Sequence, residues 1–255
     1  ISYLDLVSLG TVCDVVPFIG LNRAIVKQGL KIIKNKINLG IKTLLEICKI
    51  ENTPSTYHLG YILGPRINAG GRVGKCSHGA NLLLNSDSKK TFKLASELDS
   101  YNKERQLLES NLLKVILAKE IKNLSDPVLI LWGDNWHEGI IGIIASRIKE
   151  KYNKPTIIIS TNKNIGKASA RSIFGFDIGS IIIGAVQKGI LLKGGGHKMA
   201  GGFTIETEKI EKFKEYVIKK FEKLNINLNK QKNFYIDSFV SPSALNYDFY
   251  SKINT

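Results

Sequence analysis

Two kinds of hydrophobic spacing divide the chain near Pro127. Before it, apolar residues recur every three to four positions, the repeat of an amphipathic helix. After it, short unbroken apolar runs alternate with helical stretches. Residues 1–50 read as helix, loop, helix, helix. Leu4, Leu6, Val7 and Leu9 open the chain, and Val15-Val16-Pro17-Phe18 make a short buried exit. Ala24–Ile33 and Ile41–Cys48 then carry helical spacing on either side of Asn38-Leu39-Gly40. Glycine, proline, asparagine and arginine at short intervals from Tyr57 to Gly74 predict loop with a little helix, and His78–Leu84 returns to helix. The clearest element follows. Leu94, Leu98, Tyr101, Arg105, Leu108, Leu112 and Val115 fall at alternating steps of four and three. That is a seam on a helix of roughly thirty residues, about 45 Å long. Only Arg105 interrupts its apolar stripe.

From residue 128 the pattern predicts alternating strands and helices. Val128–Trp132, Thr156–Ser160, Gly166–Ser172 and Phe203–Ile205 read as strands, and Gly139–Lys149 as a helix. Asp177 is placed to cap a helix running to about Gln187. Ile210, Phe213, Val217, Phe221 and Leu224 share one helical face. Continuous apolar strands between helices predict an α/β sheet covered on both faces. Asn225–Lys232 is a polar linker, and Phe234–Val240 begins a further strand.

The formal net charge is +15, from 37 Lys and Arg against 22 Asp and Glu. A surface so basic suits a polyanion, although a genome bias toward Ile, Lys and Asn would raise the Lys count without any function. No apolar run approaches a membrane span, and no signal peptide is expected. Cys13, Cys48 and Cys76 form no CxxC or Cys/His zinc pattern, so a reducing cytoplasm is expected.

Five stretches are candidates for chemistry. Lys193-Gly194-Gly195-Gly196-His197-Lys198-Met199-Ala200-Gly201-Gly202 spends so much backbone entropy that a simple turn is a poor explanation. A loop whose bare N–H groups, with His197 and Lys198, hold an anion is the functional reading; a tight glycine turn is the plain one. Ala168-Ser169-Ala170-Arg171-Ser172 sets an arginine between two serines, as a phosphate cradle would. Gly64-Pro65-Arg66-Ile67-Asn68-Ala69-Gly70-Gly71-Arg72 offers Arg66, Asn68 and Arg72 to phosphates, or to carboxylates across a domain interface. His137 and Glu138 follow the first predicted strand, at the end where α/β sheets bind ligands. Asp14 is a single acid in an apolar stretch after a helix, and an N-cap bond or a divalent metal would satisfy it. Asp5 reads as a surface or helix-start residue, and His58 and His78 as ordinary loop histidines. Walker, HExxH, GxSxG and dinucleotide-binding signatures are absent.

Six segments occur in an order that can be matched: DLVSLGTVCDVVPFIGLNRAIVKQGL, LGPRINAGGRVG, LDSYNKERQ, WHEGIIGIIASRIKEKYNKPTIII, ASARSI and KGGGHKMAGGF. Together they resemble the RecJ family of single-strand-specific exonucleases, in the DHH phosphoesterase superfamily. The resemblance implies that residues 1–87 are the end of a DHH catalytic domain and 88–126 a connecting helix. Residues 127–225 would be a DHH-associated nucleic-acid-binding domain, and 226–255 a linker with the beginning of an OB-fold. It implies a 5′-to-3′ single-stranded-DNA exonuclease acting in DNA repair and recombination. Asp14 would be a catalytic ligand of a Mn2+ or Mg2+ pair. Arg66, Asn68, Arg72, His137, Ser169, Arg171, Ser172, Gly194, Gly195, Gly196 and His197 would face the nucleic acid. A helicase and a single-strand-binding protein are candidate partners. The family's Asp-x-Asp, second Asp and Asp-His-His motifs are expected upstream of Ile1, so this stretch alone is expected to be inactive but able to bind. Cys13 and Phe18 stand where the family more often has Ala and Leu. Two alternatives stay open: a DHH phosphodiesterase for short oligonucleotides or cyclic dinucleotides, and a non-catalytic nucleic-acid-binding remnant.

Overall fold

In the computed structural model of the chain, which describes residues 3–35, 37–118, 124–224 and 236–253, the three-to-four repeat before Pro127 folds as helices. They are α1 (Leu4–Cys13), α2 (Gly20–Lys34), α3 (Leu39–Ile47), α4 (Gly64–Val73), α5 (His78–Leu84) and the 31-residue α6 (Ser88–Ala118). Their common core is built on Leu44, Leu59, Leu63, Leu82 and Leu98, all fully buried.

The stretch expected to be loop from Tyr57 to Gly74 is helical instead. A π-helical turn (His58–Leu63) runs directly into α4. Pro65 sits at the junction, in the first turn of α4, just after the Gly64 N–H has closed the π-helical turn on the Leu59 carbonyl. The glycines serve close packing: a Cβ on Gly64 would lie 2.5 Å from the Cys13 sulfur, and one on Gly70 2.7 Å from the Lys75 carbonyl. Two further expectations change. His78 is buried at the start of α5, its Nδ1 3.2 Å from Glu97 Oε2. Asp5 does open a helix but is buried there, accepting from the Leu6 N–H.

Helix α6 belongs to two cores. Ala95 and Leu98 pack with the amino-terminal helices, whereas Leu112 and Ile116 pack against the second half of the chain. Ile116 takes the buried place expected for Val115, which is exposed. A straight helix turns 3.6 residues per turn, so an alternating 4-3 register drifts by about 20° per heptad. Where the stripe is polar, ion pairs fill it. Arg105 donates to Glu109 Oε2 (2.7 Å) and Asn102 Oδ1 (2.7 Å), and Arg147 from the second half reaches Glu109 Oε1 (3.2 Å). Removing this buried carboxylate strands the charge of the mostly buried Arg105 side chain, whereas exposed Arg147 stays solvated. Glu109→Ala should therefore cost about 2–3 kcal/mol of stability, read as a lowered urea midpoint at unchanged slope.

The second half is a five-stranded mixed sheet. Its elements are β1 (Leu129–Asp134), α7 (Glu138–Tyr152), β2 (Thr156–Asn162), β3 (Ile165–Arg171), α8 (Ile178–Gln187), β4 (Lys193–His197), β5 (Ala200–Glu206) and α9 (Ile210–Glu222). Strand order is β1-β2-β3-β5-β4, with only β1 and β2 parallel. Asp177 caps α8 as expected, accepting from the Ser180 N–H at 3.0 Å. One face carries Ile157, Ile159, Ala168, Ala170, Phe203 and Ile205 into a core with α8 and α9. The other is covered by α7 and the second half of α6 over β1, β2 and β3 and lies open over β5 and β4, contrary to the expectation of two covered faces. That half-open face is where the site lies. Of the further strand expected at Phe234–Val240, the part within the described residues, 236–240, is irregular. A short 3-10 turn at Pro242–Ala244 and a helix, α10 (Tyr247–Ile253), follow it. Asn225–Lys232 and Phe234 lie outside the described residues.

Candidate nucleic-acid interface

Strand alternation sorts the charged residues of β3. Ala168 and Ala170 turn into the core, so Lys167, Ser169 and Arg171 share the opposite face. Register continues that face: Lys167 pairs with Thr204, which pairs with Lys193, and Ser169 pairs with Gly202, which pairs with Gly195. The result is a groove of about 690 Å³ between the exposed end of the sheet, the start of α7 and Arg72 of α4.

The glycine run is mainly strand and not the loop expected. Gly194–Gly196 lie in β4, and only Lys198 and Met199 separate it from β5. Three of its glycines answer to packing. A Cβ on Gly194 would meet Ile182 at 2.7 Å, one on Gly201 would meet Ile182 at 2.4 Å, and one on Gly196 would meet the Ala200 carbonyl at 2.4 Å. Gly195 and Gly202 are different. A Cβ on Gly195 would meet nothing within 4 Å, and one on Gly202 only the Ala168 carbonyl at 3.3 Å. These two leave a bare backbone floor on the groove side.

Helix α7 meets the first half backbone to backbone. A Cβ on Gly139 would lie 2.0 Å from the Arg72 carbonyl, and one on Gly142 3.0 Å from Ser169 Oγ and 3.1 Å from Arg171. These glycines let α4 and β3 approach the same helix. Arg72 then donates to the Gly139 carbonyl (3.2 Å), and Arg171 to Ser169 Oγ (3.2 Å) and the Ala170 carbonyl (2.8 Å). Both arginines line the groove, and a smaller adjoining cleft of about 240 Å³ as well. Neither is in a salt bridge among the described residues, although Arg66, Arg105 and Arg147 all are. Burial lowers the pKa of each. Arg72 lowers that of Arg171 further, and Arg105 that of Arg72, partly offset by Glu109. Two partly desolvated guanidinium groups, close enough to repel and without a paired acid, make a receptor for an anion that accepts bidentate bonds.

The remaining candidates fall elsewhere. Arg66 donates to Asp99 Oδ1 at 2.8 Å, and Lys103 holds the other oxygen at 2.8 Å, so Arg66 fastens α4 to α6. Asn68 is exposed on α4 and does not line the groove. His137 is the N-cap of α7, its Nδ1 accepting from the Gly139 N–H (3.1 Å). Ser172 turns away from the groove: it is 1% exposed and its hydroxyl donates to the Phe176 carbonyl (2.6 Å). Only one of the two serines beside Arg171 therefore stays in the cradle. His197 is exposed at the hairpin tip, accepting from the Met199 N–H (3.3 Å).

Asp14 closes α1 as its C-cap residue, so it is not the N-cap weighed from sequence. Its carboxylate is exposed at the negative end of a helix, where a cation is favoured and an anion is not. An exposed hard oxygen donor there suits one ligand of Mg2+ or Mn2+. No cluster of three or more His, Cys, Asp or Glu forms among the described residues, so Asp14 fits one place in such a centre and no more. It does not line the groove. Helix α4 links the two places: Gly64 packs on Cys13, and Arg72 lies eight residues on, about 12 Å along the axis.

Lys167, Lys193 and Glu138 also border the groove, with a Lys167–Glu138 ion pair of 2.8 Å. Sequence reading missed Lys167, although its two-residue spacing from Ser169 and Arg171 was the available signal. Gly139 and Gly142 carried no such sign, because their contacts are made by distant segments.

A DHHA1 domain matches residues 125–223. The single-stranded-DNA-specific exonuclease RecJ of Salmonella typhimurium is 38% identical over 222 residues, 83% of this chain and 38% of that protein. RecJ of Dickeya dadantii is 36% identical over the same shares of both chains. The chain thus spans about two-fifths of the length of these relatives. Among solved structures, RecJ of Thermus thermophilus in complex with Mg2+ superposes with a TM-score of 0.78 at 31% identity, covering 87% of this chain and 34% of that one. An exonuclease RecJ bound to manganese gives 0.75 at 30%, covering 89% and 57%. No helix among the described residues is long and apolar enough to cross a membrane. Motifs, sheet and relatives agree, and the chain belongs to the RecJ family, with a DHHA1 domain at residues 125–223.

Proposed function

We propose that this chain holds the DNA strand in a single-stranded-DNA exonuclease that hydrolyses phosphodiester bonds from the 5′ end, in DNA repair and recombination. The observation that carries the reading is the pair Arg72 and Arg171, both lining one groove and both without a paired carboxylate among the described residues. A backbone phosphate between them accepts from both guanidinium groups, and the Ser169 hydroxyl is free to turn its proton to the same oxygen. The bare floor at Gly195 and Gly202 lets the sugar–phosphate chain lie close to the sheet. Lys193 extends the positive potential along it, while Lys167 is held by Glu138 at the groove edge. Residues 1–87 then serve as part of a DHH catalytic domain, 88–126 as its connecting helix, 127–225 as the strand-binding domain and 226–255 as a linker into an OB-fold.

In this reading Asp14 is one carboxylate ligand of a divalent pair, Mn2+ or Mg2+, whose other ligands come from outside the described residues. Bound ions would activate the attacking water and neutralise the leaving oxygen. The part played by this chain's own groups is to fix the strand: Arg72, Ser169 and Arg171 set its register, and α4 relates that register to Asp14. The protein would work in the cytoplasm, with a helicase and a single-strand-binding protein as candidate partners.

The test is a salt titration of oligonucleotide binding. Single-stranded DNA should bind with log K falling against log salt by about 0.7 for each phosphate neutralised. Binding indifferent to salt, or tighter for duplex than for single strand, would overturn the reading.

A further inference from the structure

The loop from β3 to α8, residues 172–177, displays one apolar ring that the strand groove does not use. Phe174 is 95% exposed, although every residue around it is held. Ser172 is buried and closes the loop by donating to the Phe176 carbonyl. Ile173 packs against the α8–α9 core, and Phe176 is buried in it. Gly175 takes φ +91°, which reverses the chain between the outward Phe174 and the inward Phe176. The loop is tied to the β4–β5 tip on both sides. The Ser172 N–H donates to the Met199 carbonyl (2.8 Å) and the Ile178 N–H to the Lys198 carbonyl (3.3 Å). Phe174 therefore stands on a braced loop beside exposed His197 and Lys198. Its Cα is three residues, at most about 11 Å, from that of Arg171.

Single exposed apolar residues are common on proteins. What sets this one apart is the bracing, which spares the ring the entropy of being ordered on binding, and its place three residues beyond Arg171. The neighbouring Arg171 and Lys198 favour an anionic partner, against one carboxylate in the loop, Asp177, which is already engaged in capping α8 and faces Lys198. One ring with Met199 beside it offers too little area for a protein interface. We infer that Phe174 is a stacking platform for a nucleobase of the strand whose phosphate sits at Arg171, an inference that rests on the strand-holding role proposed above. A flat ring stacks on any base, so this contact adds affinity without reading sequence.

The experiment compares an oligothymidylate with an abasic sugar–phosphate oligomer of equal length, both by fluorescence anisotropy at fixed salt. Phe174→Ala should weaken oligothymidylate binding by about 5- to 100-fold, leave the abasic oligomer unchanged and keep the salt slope. Phe174→Tyr should bind as the native protein does. Because the ring is exposed, the melting temperature should not move. Equal affinity of Phe174→Ala and the native chain for oligothymidylate would overturn the stacking role, and so would equal losses on both oligomers. Arg171→Ala, run in parallel, separates the two ideas. If it weakens both oligomers and Phe174→Ala weakens neither, only the stacking role falls. If Arg171→Ala changes nothing, the strand-holding role falls.

Discussion

Replacing Arg171 with alanine should weaken single-stranded DNA binding by about 10- to 100-fold and flatten the salt dependence by about 0.7 in log–log slope. The magnitude follows from losing charged hydrogen bonds, each worth about 1.5–3 kcal/mol, where 1.4 kcal/mol is tenfold. Folding should suffer little, since the side-chain bonds of Arg171 are to Ser169 and Ala170 on its own strand and it is in no salt bridge among the described residues. Removing it even relieves the repulsion from Arg72. Arg171→Lys separates charge from shape. It should keep most of the salt slope but lose affinity, because an ammonium cannot reproduce the two-pronged fork. Anisotropy titrations at several salt concentrations read both quantities.

Asp14→Ala should all but abolish exonuclease turnover in the full-length protein while leaving strand affinity within about twofold. The loss should exceed the 10- to 100-fold typical of disturbing a group behind a metal ligand. Stability should move the other way. The Asp14 backbone N–H donates to the Gly10 carbonyl and survives the change. Its carboxylate faces the negative end of α1, so removing it should gain about 0.3–1 kcal/mol. A variant slightly more stable and inert, with normal binding, marks a residue kept for chemistry and not for folding. Single-turnover degradation with Mn2+ and a thermal melt on the same samples would check it. Normal turnover by Asp14→Ala would remove Asp14 from the metal centre.

Much of the fold could be read from spacing alone. The α6 repeat, the apolar runs of β1 and β2 and the Asp177 cap are local signals, and the structure follows them. Most of the failures share one cause: the deciding contact is made in the folded chain and leaves no mark on the local spacing. The 57–74 stretch looks like loop because Gly and Pro usually punctuate, yet Gly64 is there for Cys13 and Gly70 for Lys75 and Leu98. Glycine is a poor strand former, so β4 was invisible; it is held by β5 on one side and by α8, where Ile182 occupies the space side chains would need. The site was legible in part. Arg171, Ser169 and Arg72 do meet, and the period of β3 could have added Lys167. That Arg66 would be taken by Asp99 depended on a partner 33 residues away, and the Ser172 bond to the Phe176 carbonyl, four residues on, depended on the loop turning back at Gly175.

The central claim is that one backbone phosphate of a DNA strand lies between α4 and β3, gripped from both. The most direct measurement is a crystal structure of the chain with a short oligothymidylate. The account predicts a phosphate within about 3 Å of the guanidinium nitrogens of both Arg72 and Arg171, with Ser169 Oγ on the same group. An oligonucleotide bound on another face, with both arginines still empty-handed, would contradict it.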